Sequence, residues 1–189
     1  MPTPDFVLRL REKIGHDPLW MTGVTAVILD ERDRILLCRR ADNGAWTPIT
    51  GIVDPGEQPA DTAVREAEEE AGVRIAVEGL ASVLSNPPQV FVNGDRAQFL
   101  DLTFRCRWVG GRARVNDEES TDVRWFPLDG LPEMSERMHR RIAAAVGFTG
   151  RTDFAVGGAQ SREAQNGGAG DSGSPSVRGS EAASDPSDR

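Results

Sequence analysis

The sequence predicts an α/β domain, and two kinds of repeated pattern lead to this prediction. Apolar, β-branched runs typical of strands occur at residues 24–30, 34–40, 74–84, 88–93 and 97–109. Apolar residues at helical spacing occur in residues 4–14, 59–71 and 133–146. The chain has 189 residues, of which 38% are hydrophobic, so one domain with a substantial core is the expected organisation.

The first predicted helix covers residues 4–14. Its apolar residues are Phe6, Val7, Leu10 and Ile14. Gly15 and Pro18 follow directly, which is how a short amphipathic helix commonly ends. We expect this helix to pack on the domain or on a second subunit.

The predicted strands are separated by turns that the sequence marks clearly. Charged residues 31–33 divide the first two strands, and "VNGD" at 92–95 is a hairpin turn signal. Residues 123–132, "VRWFPLDGLP", are expected to end the sheet in a turn. The last predicted helix follows, with Met134, Met138, Ile142 and Val146 at four-residue intervals.

The composition changes close to residue 149. Beyond it the chain is rich in Gly, Ser, Ala, Pro and Asp and has few large apolar residues, so burial cannot offset the entropy of ordering it. The expected organisation is an N-terminal helix and lead-in at 1–19, a folded domain at 20–148 and a disordered tail at 149–189.

Charge and cysteine content exclude several classes of function. Lys and Arg number 22 against 30 acidic residues, a net charge of −8, which argues against nucleic acid or an anionic membrane as the main partner. An acidic protein that binds phosphates needs a metal as intermediary. No apolar run has the length of a membrane span, so we expect a soluble, cytoplasmic protein. The two cysteines, Cys38 and Cys106, lie in strand-like runs and are expected to be buried thiols.

The helix predicted at residues 59–71 carries an unusual set of acids. Pro59 suits its first turn and Gly72 suits the position after its end. At about 100° per residue, one stripe can pack against a sheet and consists of Ala60, Val64, Ala67 and Ala71. Glu66, Glu69 and Glu70 share a different arc, while Glu68 points elsewhere.

These glutamates crowd the negative end of the helix dipole, where carboxylates are unfavourable. A run of glutamates is most often a solvated helix face. A bound divalent cation would instead turn their mutual repulsion into shared coordination. Oxygen ligands without histidine or cysteine favour Mg²⁺, with Mn²⁺ as the alternative.

The residues around this helix resemble the Nudix box. The fixed positions of that motif are occupied by Gly51, Glu57, Arg65, Glu66, Glu69, Glu70 and Gly72, with Ala67 and Val73 in the aliphatic positions. The flanking segments follow the order of Nudix domains over roughly residues 20–146. The resemblance implies an α/β/α sandwich with a mixed sheet. Thr50 departs from the motif, since the family usually has a glycine pair there.

The resemblance also implies roles for individual residues. Glu66, Glu69 and Glu70 would be metal ligands together with the Gly51 carbonyl, and Glu57 and Arg65 would pair to hold the loop against the helix. The general base is less defined, because the family takes it from different places. Glu66 is one candidate, and a loop carboxylate is the other, with Glu119 preferred over Glu118.

The reaction implied by the resemblance is hydrolysis of a diphosphate bond in a nucleoside diphosphate derivative. ADP-ribose or a similar sugar nucleotide is the preferred substrate; nucleoside triphosphates, oxidised ones included, are the alternative, and a non-catalytic nucleotide sensor is a third interpretation. The aromatic candidates for gripping a base are Phe91, Phe99 and Trp20, although aromatic residues more often serve the core. Many family members form dimers, so the resemblance also implies a homodimer.

Overall fold

The computed structural model describes residues 3–155, which form three α-helices and a nine-stranded mixed sheet. In chain order the elements are α1 Asp5–Ile14, β1 Leu19–Leu29, β2 Ile35–Arg40, β3 Trp46–Thr47, β4 Ile49–Ile52, α2 Pro59–Ala71, β5 Val73–Ser85, β6 Gln89–Val90, β7 Arg96–Gly111, β8 Ser120–Phe126, α3 Glu136–Val146 and β9 Asp153–Phe154. The strand order is β3-β2-β1-β7-β5-β9. In addition, β4 pairs with β1, β6 with β7 and β8 with β2. None of the helices in this range is long and apolar enough to cross a membrane.

Helices α2 and α3 cover opposite faces of the sheet. Side chains alternate between the two faces along a strand. On β1, Val24 and Ala26 belong to the core cluster that contains the alanines of α2. Val27 and Leu29 belong to the cluster that contains Ile142 of α3. The α/β/α sandwich with a mixed sheet is therefore confirmed.

Helix α1 docks on the domain through Val7, which is buried against Met21 and Ala97. A set of polar contacts fixes its C-terminal end to the hairpin formed by β6 and β7. Arg11 donates through Nη2 to the Arg96 carbonyl at 2.7 Å, and His16 Nδ1 lies 2.8 Å from Asp95 Oδ1. The predicted turn at 92–95 closes this hairpin, with Gly94 at a φ of 86°.

The sheet extends beyond the strands that the sequence predicts. Strand β1 begins at Leu19 rather than residue 24, and the strand predicted at 88–93 is only Gln89–Val90. Residues 120–126 form strand β8 on β2, so the predicted turn begins later than expected. Polar residues alternate through β8 and glycines interrupt β1 and β4, which weakens the local strand signal. Pairing with a neighbouring strand decides the conformation in each case.

The helix α2 is rotated relative to the predicted packing stripe. Its buried alanines are Ala63, Ala67 and Ala71, whereas the predicted Val64 is 38% exposed. The rotation brings Glu66 and Glu70 to the inner side of the helix, next to the alanines. The prediction that Val64 packs against the sheet was therefore wrong. The side of α2 that is buried next to the alanines carries Glu66 and Glu70, and Val64 is turned toward solvent.

The segment predicted as a tail begins inside the described residues. Asp153 and Phe154 pair in parallel with β5, and Thr152 Oγ1 donates to the Leu80 carbonyl at 2.8 Å. Residues 156–189 of the predicted tail lie outside the described residues. The domain assignment as a whole stays a prediction.

One ion pair is buried between the sheet and α3. Arg141 Nε donates to Asp101 Oδ2 at 2.6 Å, and both side chains are at most 7% exposed. Burial raises the pKa of the Asp101 carboxyl and lowers the pKa of the Arg141 guanidinium, although each group stabilises the charge of the other. The cost of desolvation thus outweighs the mutual attraction at both groups. The ion pair therefore compensates two charges that are already buried and adds little net stability.

Replacing Asp101 with alanine should destabilise the protein strongly, because Arg141 would remain buried without its carboxylate. We expect the free energy of unfolding, measured by urea denaturation, to fall by about 3–5 kcal/mol. The double variant Asp101→Leu, Arg141→Met removes both charges and should recover most of that loss. A single-variant loss below about 1 kcal/mol, the value of an exposed ion pair, would contradict this account.

Candidate active site

A tight loop connects β4 to the start of α2. The Glu57 amide donates to the Asp54 carbonyl at 3.0 Å, and Gly56 has a φ of 91°, which glycine tolerates best. Pro59 then begins the helix, where its missing N–H costs nothing. The loop therefore places Glu57 beside the first turns of α2.

Arg65 joins this loop to the helix. Its Nε and Nη2 donate to the two oxygens of Glu57 at 2.9 and 3.1 Å, a bidentate pair. Thr62 Oγ1 donates to the same carboxylate at 2.7 Å. Hydrogen bonding from Arg65 is the main reason that the pKa of Glu57 is lowered to about 2. The structure thus brings together the two residues that the sequence predicts as a loop-to-helix pair.

The three predicted metal-ligand glutamates do not share one environment. Glu66 and Glu70 are buried, at 3% and 8% exposure, whereas the Glu69 side chain is 56% exposed. Arg65 Nη1 bridges two of them, at 2.9 Å from Glu66 Oε1 and 3.0 Å from Glu69 Oε2.

Burial raises the pKa of Glu66 to about 7 and that of Glu70 to about 8. At Glu70 the neighbouring charges of Glu66 and Asp117 add to the effect of burial. Arg40 opposes this rise, but its guanidinium is paired with Asp42 at 2.6 Å. Two buried carboxylates on the inner side of the helix are thus incompletely compensated by positive charge.

Gly51 allows the backbone of β4 to approach one of these carboxylates closely. A Cβ at this position would lie 2.5 Å from Glu66 Cγ and 2.7 Å from Glu66 Oε1. Any larger residue would therefore displace Glu66. The glycine of the motif is explained by this contact, and it places Gly51 next to the predicted ligand.

The loop after β7 caps the C-terminal end of α2. Backbone amides of Arg114 and Asn116 donate to the carbonyls of Ala71 and Glu70, at 3.1 and 3.2 Å. The Asn116 side chain adds hydrogen bonds to the carbonyls of Glu68 and Glu69, at 2.9 and 3.2 Å. These groups donate to the last four carbonyls of the helix, of which the Glu68 carbonyl also accepts from the Gly72 amide at 3.0 Å.

Asp117 follows this cap directly and faces the glutamates. A cavity of about 170 Å³ lies at the site, and its walls are formed by Pro4, Ile52, Asp54, Arg65, Glu66, Glu69 and Asp117. Sequence reasoning preferred Glu119 and then Glu118 from this loop. Glu118 is exposed and Glu119 has both carboxylate oxygens buried, and neither lines the cavity. The local sequence gave no signal that distinguishes Asp117 from its acidic neighbours, because its place depends on the contact between this loop and α2.

The three predicted aromatic residues lie outside the cavity wall. Phe91 is 44% exposed in the β6–β7 hairpin, and Phe99 is half-buried against the cluster under α1. Trp20 is 56% exposed on β1. Their proposed role in binding a base stays a prediction.

The residues at the site suit a hard divalent cation in chemistry. The cavity is lined by four carboxylates, those of Asp54, Glu66, Glu69 and Asp117, of which Glu66 is buried. Oxygen donors of this kind suit Mg²⁺ or Mn²⁺. Within residues 3–155, however, no three acidic, histidine or cysteine side chains are already gathered around one point. Arg65 draws Glu66 and Glu69 to itself in this arrangement. The types of donor atom at the site fit a metal ion. In this structure, Arg65 holds two of these carboxylates, those of Glu66 and Glu69.

Comparison with known proteins defines the class. The NUDIX domain family matches residues 19–146. A MutT-like protein of Streptomyces ambofaciens is 38% identical over 121 residues, covering 64% of this chain and 71% of that protein. A CMP-5'-(N-acetyl-N-hydroxy-3-aminopropyl)phosphonate hydrolase of Streptomyces rubellomurinus is 32% identical over 161 residues, covering 79% and 72%. An ADP-ribose pyrophosphatase of Streptococcus suis shares the fold, with a TM-score of 0.54 at 24% identity over 71% of this chain and 96% of that one.

The chain belongs to the Nudix family. It is a Nudix hydrolase, a class of enzymes that cleave nucleotide diphosphate derivatives and generally use divalent metal ions.

Replacing Gly51 with alanine should displace Glu66 and lower hydrolytic activity, because the new Cβ would occupy the space of that side chain. We expect at least about a tenfold loss of kcat, as for a misplaced catalytic group. Gly23→Ala on the paired strand is the matched control, since a Cβ there meets its nearest atom at 3.4 Å. Equal activity losses in both variants would argue against a specific contact between Gly51 and Glu66.

Proposed function

We propose that this protein hydrolyses a diphosphate bond in a nucleoside diphosphate derivative, with ADP-ribose or a similar sugar nucleotide as the preferred substrate. The observation that carries the proposal is the pair of buried carboxylates on α2, Glu66 and Glu70, of which Glu66 contacts Gly51 and lines the acidic cavity. Buried carboxylates without full compensation favour a bound cation, and a bound cation would in turn attract a diphosphate.

Glu66, Glu69 and Glu70, with the Gly51 carbonyl, are the proposed metal ligands. When bound, Mg²⁺ or Mn²⁺ would neutralise the diphosphate and polarise the phosphorus under attack. Glu57 and Arg65 fix the loop to the helix and so keep Gly51 next to Glu66. Arg65 also holds the carboxylates of Glu66 and Glu69 near one another.

Attack by water requires a carboxylate that accepts a proton. Glu66 is one candidate because it lines the cavity from the helix. From the loop, Asp117 lines the same cavity and is the better placed residue, while Glu119 remains the candidate that the sequence favoured. Asp117 is held in place by the amides of Glu119 and Ser120, which donate to its Oδ1 at 3.0 and 3.3 Å.

Trp20 is the aromatic residue best placed to contact a base. Val24 on β1 pairs directly with Gly51, and Trp20 lies four residues earlier on the same face of that strand. At a rise of about 3.3 Å per residue, Trp20 is about 13 Å along the strand from the position beside Gly51. It is 56% exposed on this face, so its ring is open to stacking.

Hydrolysis should depend on the glutamates of the box. We expect the double variant Glu69→Gln, Glu70→Gln to lose more than about 100-fold in kcat/KM, since even the partners of metal ligands contribute 10- to 100-fold. The assay is a panel of nucleoside diphosphate derivatives and triphosphates with Mg²⁺ or Mn²⁺, following release of the nucleotide or phosphate. Glu68→Gln, on the exposed side of α2, is the matched control. Full activity in the double variant would refute the proposed site.

Removing the Trp20 ring should weaken substrate binding while leaving the chemical step intact. We expect Trp20→Ala to raise KM by about tenfold, as base–aromatic stacking contributes about 1–3 kcal/mol. Trp20→Phe should retain most of the affinity. Phe154→Ala removes an equally exposed ring on β9 and serves as the control. An unchanged KM in Trp20→Ala would contradict the stacking role.

Hydrolysis of oxidised nucleotides is the second candidate function. It is favoured by relatives named for such substrates: an 8-oxo-dGDP phosphatase of Homo sapiens is 32% identical over 135 residues, covering 68% of this chain and 37% of that protein. The same panel separates the two by comparing ADP-ribose with 8-oxo-dGDP and 8-oxo-dGTP. Nucleotide binding without turnover of any compound in the panel would instead favour the non-catalytic sensor.

The homodimer that the family resemblance implies is a separate question. Analytical ultracentrifugation would detect it.

A further inference from the structure

Asn116 makes three of the hydrogen bonds that connect the loop between β7 and β8 to the end of α2, and the Arg114 amide makes another. The Asn116 side-chain amide donates to the carbonyls of Glu68 and Glu69, and its backbone amide donates to Glu70. These three bonds reach consecutive carbonyls of the helix. No other side chain donates to the last turn of α2 among the hydrogen bonds of residues 3–155.

The connection bears directly on the placement of Asp117. Asp117 follows Asn116 in the chain and lines the cavity with Glu66 and Glu69. On its other side, Asp117 Oδ1 accepts from the amides of Glu119 and Ser120, which fold the chain into a local turn. The far side of that turn is anchored to the sheet, because Ser120 begins β8 and the Glu119 carbonyl accepts from the Ala41 amide at 2.7 Å. On the side that faces α2, the residue next to Asp117 that bonds to the helix is Asn116.

We propose that Asn116 is a positioning residue that fixes Asp117 relative to the carboxylates of α2. The inference rests on the proposed function, because the position of Asp117 matters for catalysis only if the site hydrolyses a diphosphate. Asn116 itself is exposed and does not line the cavity. Its contribution is therefore to the geometry of the site and not to contact with the substrate.

A double-mutant cycle with Asn116→Ala and Asp117→Ala tests the proposal, using the substrate that the panel identifies. We expect Asn116→Ala to lower kcat by about 10- to 100-fold with little change in KM, as for a displaced catalytic group. In the Asp117→Ala background the same change should have almost no further effect, because the group being positioned is already absent. Asn116→Gln keeps an amide donor and should restore part of the activity.

Asn93→Ala is the matched control, since Asn93 also makes side-chain hydrogen bonds in an exposed loop but lies in the β6–β7 hairpin. It should leave kcat unchanged. Additive losses of activity in the cycle would show that Asn116 acts through general stability and would overturn the proposal. An equal loss in Asn93→Ala would overturn it as well.

Hydrogen exchange of the Arg114 and Asn116 backbone amides gives a readout that does not need activity. These amides donate to the carbonyls of Ala71 and Glu70, so their protection reports on the contact between the loop and α2, and exchange in Asn116→Ala should be faster than in the parent protein. Unchanged protection would overturn the proposal even if hydrolysis is observed. If no substrate is turned over, the proposed function fails, and the exchange result alone decides whether Asn116 holds the loop.

Discussion

The rest of the site depends on the ion pairs that the Arg65 guanidinium makes with three glutamates. The guanidinium contacts Glu57 on the loop with two nitrogens and Glu66 and Glu69 on the helix with a third. Its pKa is raised above the ordinary value, chiefly by the hydrogen bonds to Glu57. A planar guanidinium can serve several carboxylates at fixed angles, which a lysine ammonium cannot do in the same way. One side chain thus fixes the loop, the start of the helix and two acids of the site relative to one another.

The arrangement also depends on how closely helix α2 can approach the sheet. Ala63, Ala67 and Ala71 present only methyl groups to the strands beneath them, and all three are fully buried. Gly51 removes the side chain that would otherwise meet Glu66. Small residues on both surfaces let a carboxylate be buried at a helix–strand contact, where desolvation raises its pKa. A bound cation would offset this cost.

Acids at the C-terminal end of a helix oppose its dipole, and the structure shows how this end is satisfied. Gly72 adopts the left-handed conformation at a φ of 65° and allows the chain to turn out of the helix. The returning loop then supplies donors from Arg114 and Asn116 to the terminal carbonyls. The same loop carries Asp117 into the cavity, so the cap that stabilises the helix end also adds a carboxylate to the site. Stability and the organisation of the site are linked through one short segment.

Much of this molecule follows from local sequence. The helix α2 has the predicted limits, since Pro59 and Gly72 act through backbone geometry alone, and the fixed spacing of the box identified the family. The rotation of α2 could not be predicted in this way, because it depends on which neighbour each side chain meets: Val64 is exposed and Glu66 is buried against Gly51. Strand β8 and the place of Asp117 likewise depend on contacts between segments far apart in the chain. The sequence by itself determined the chemical groups of the site and their spacing along the helix. Only the tertiary structure decided which carboxylates are desolvated, because burial depends on residues from other segments of the chain that pack around each side chain.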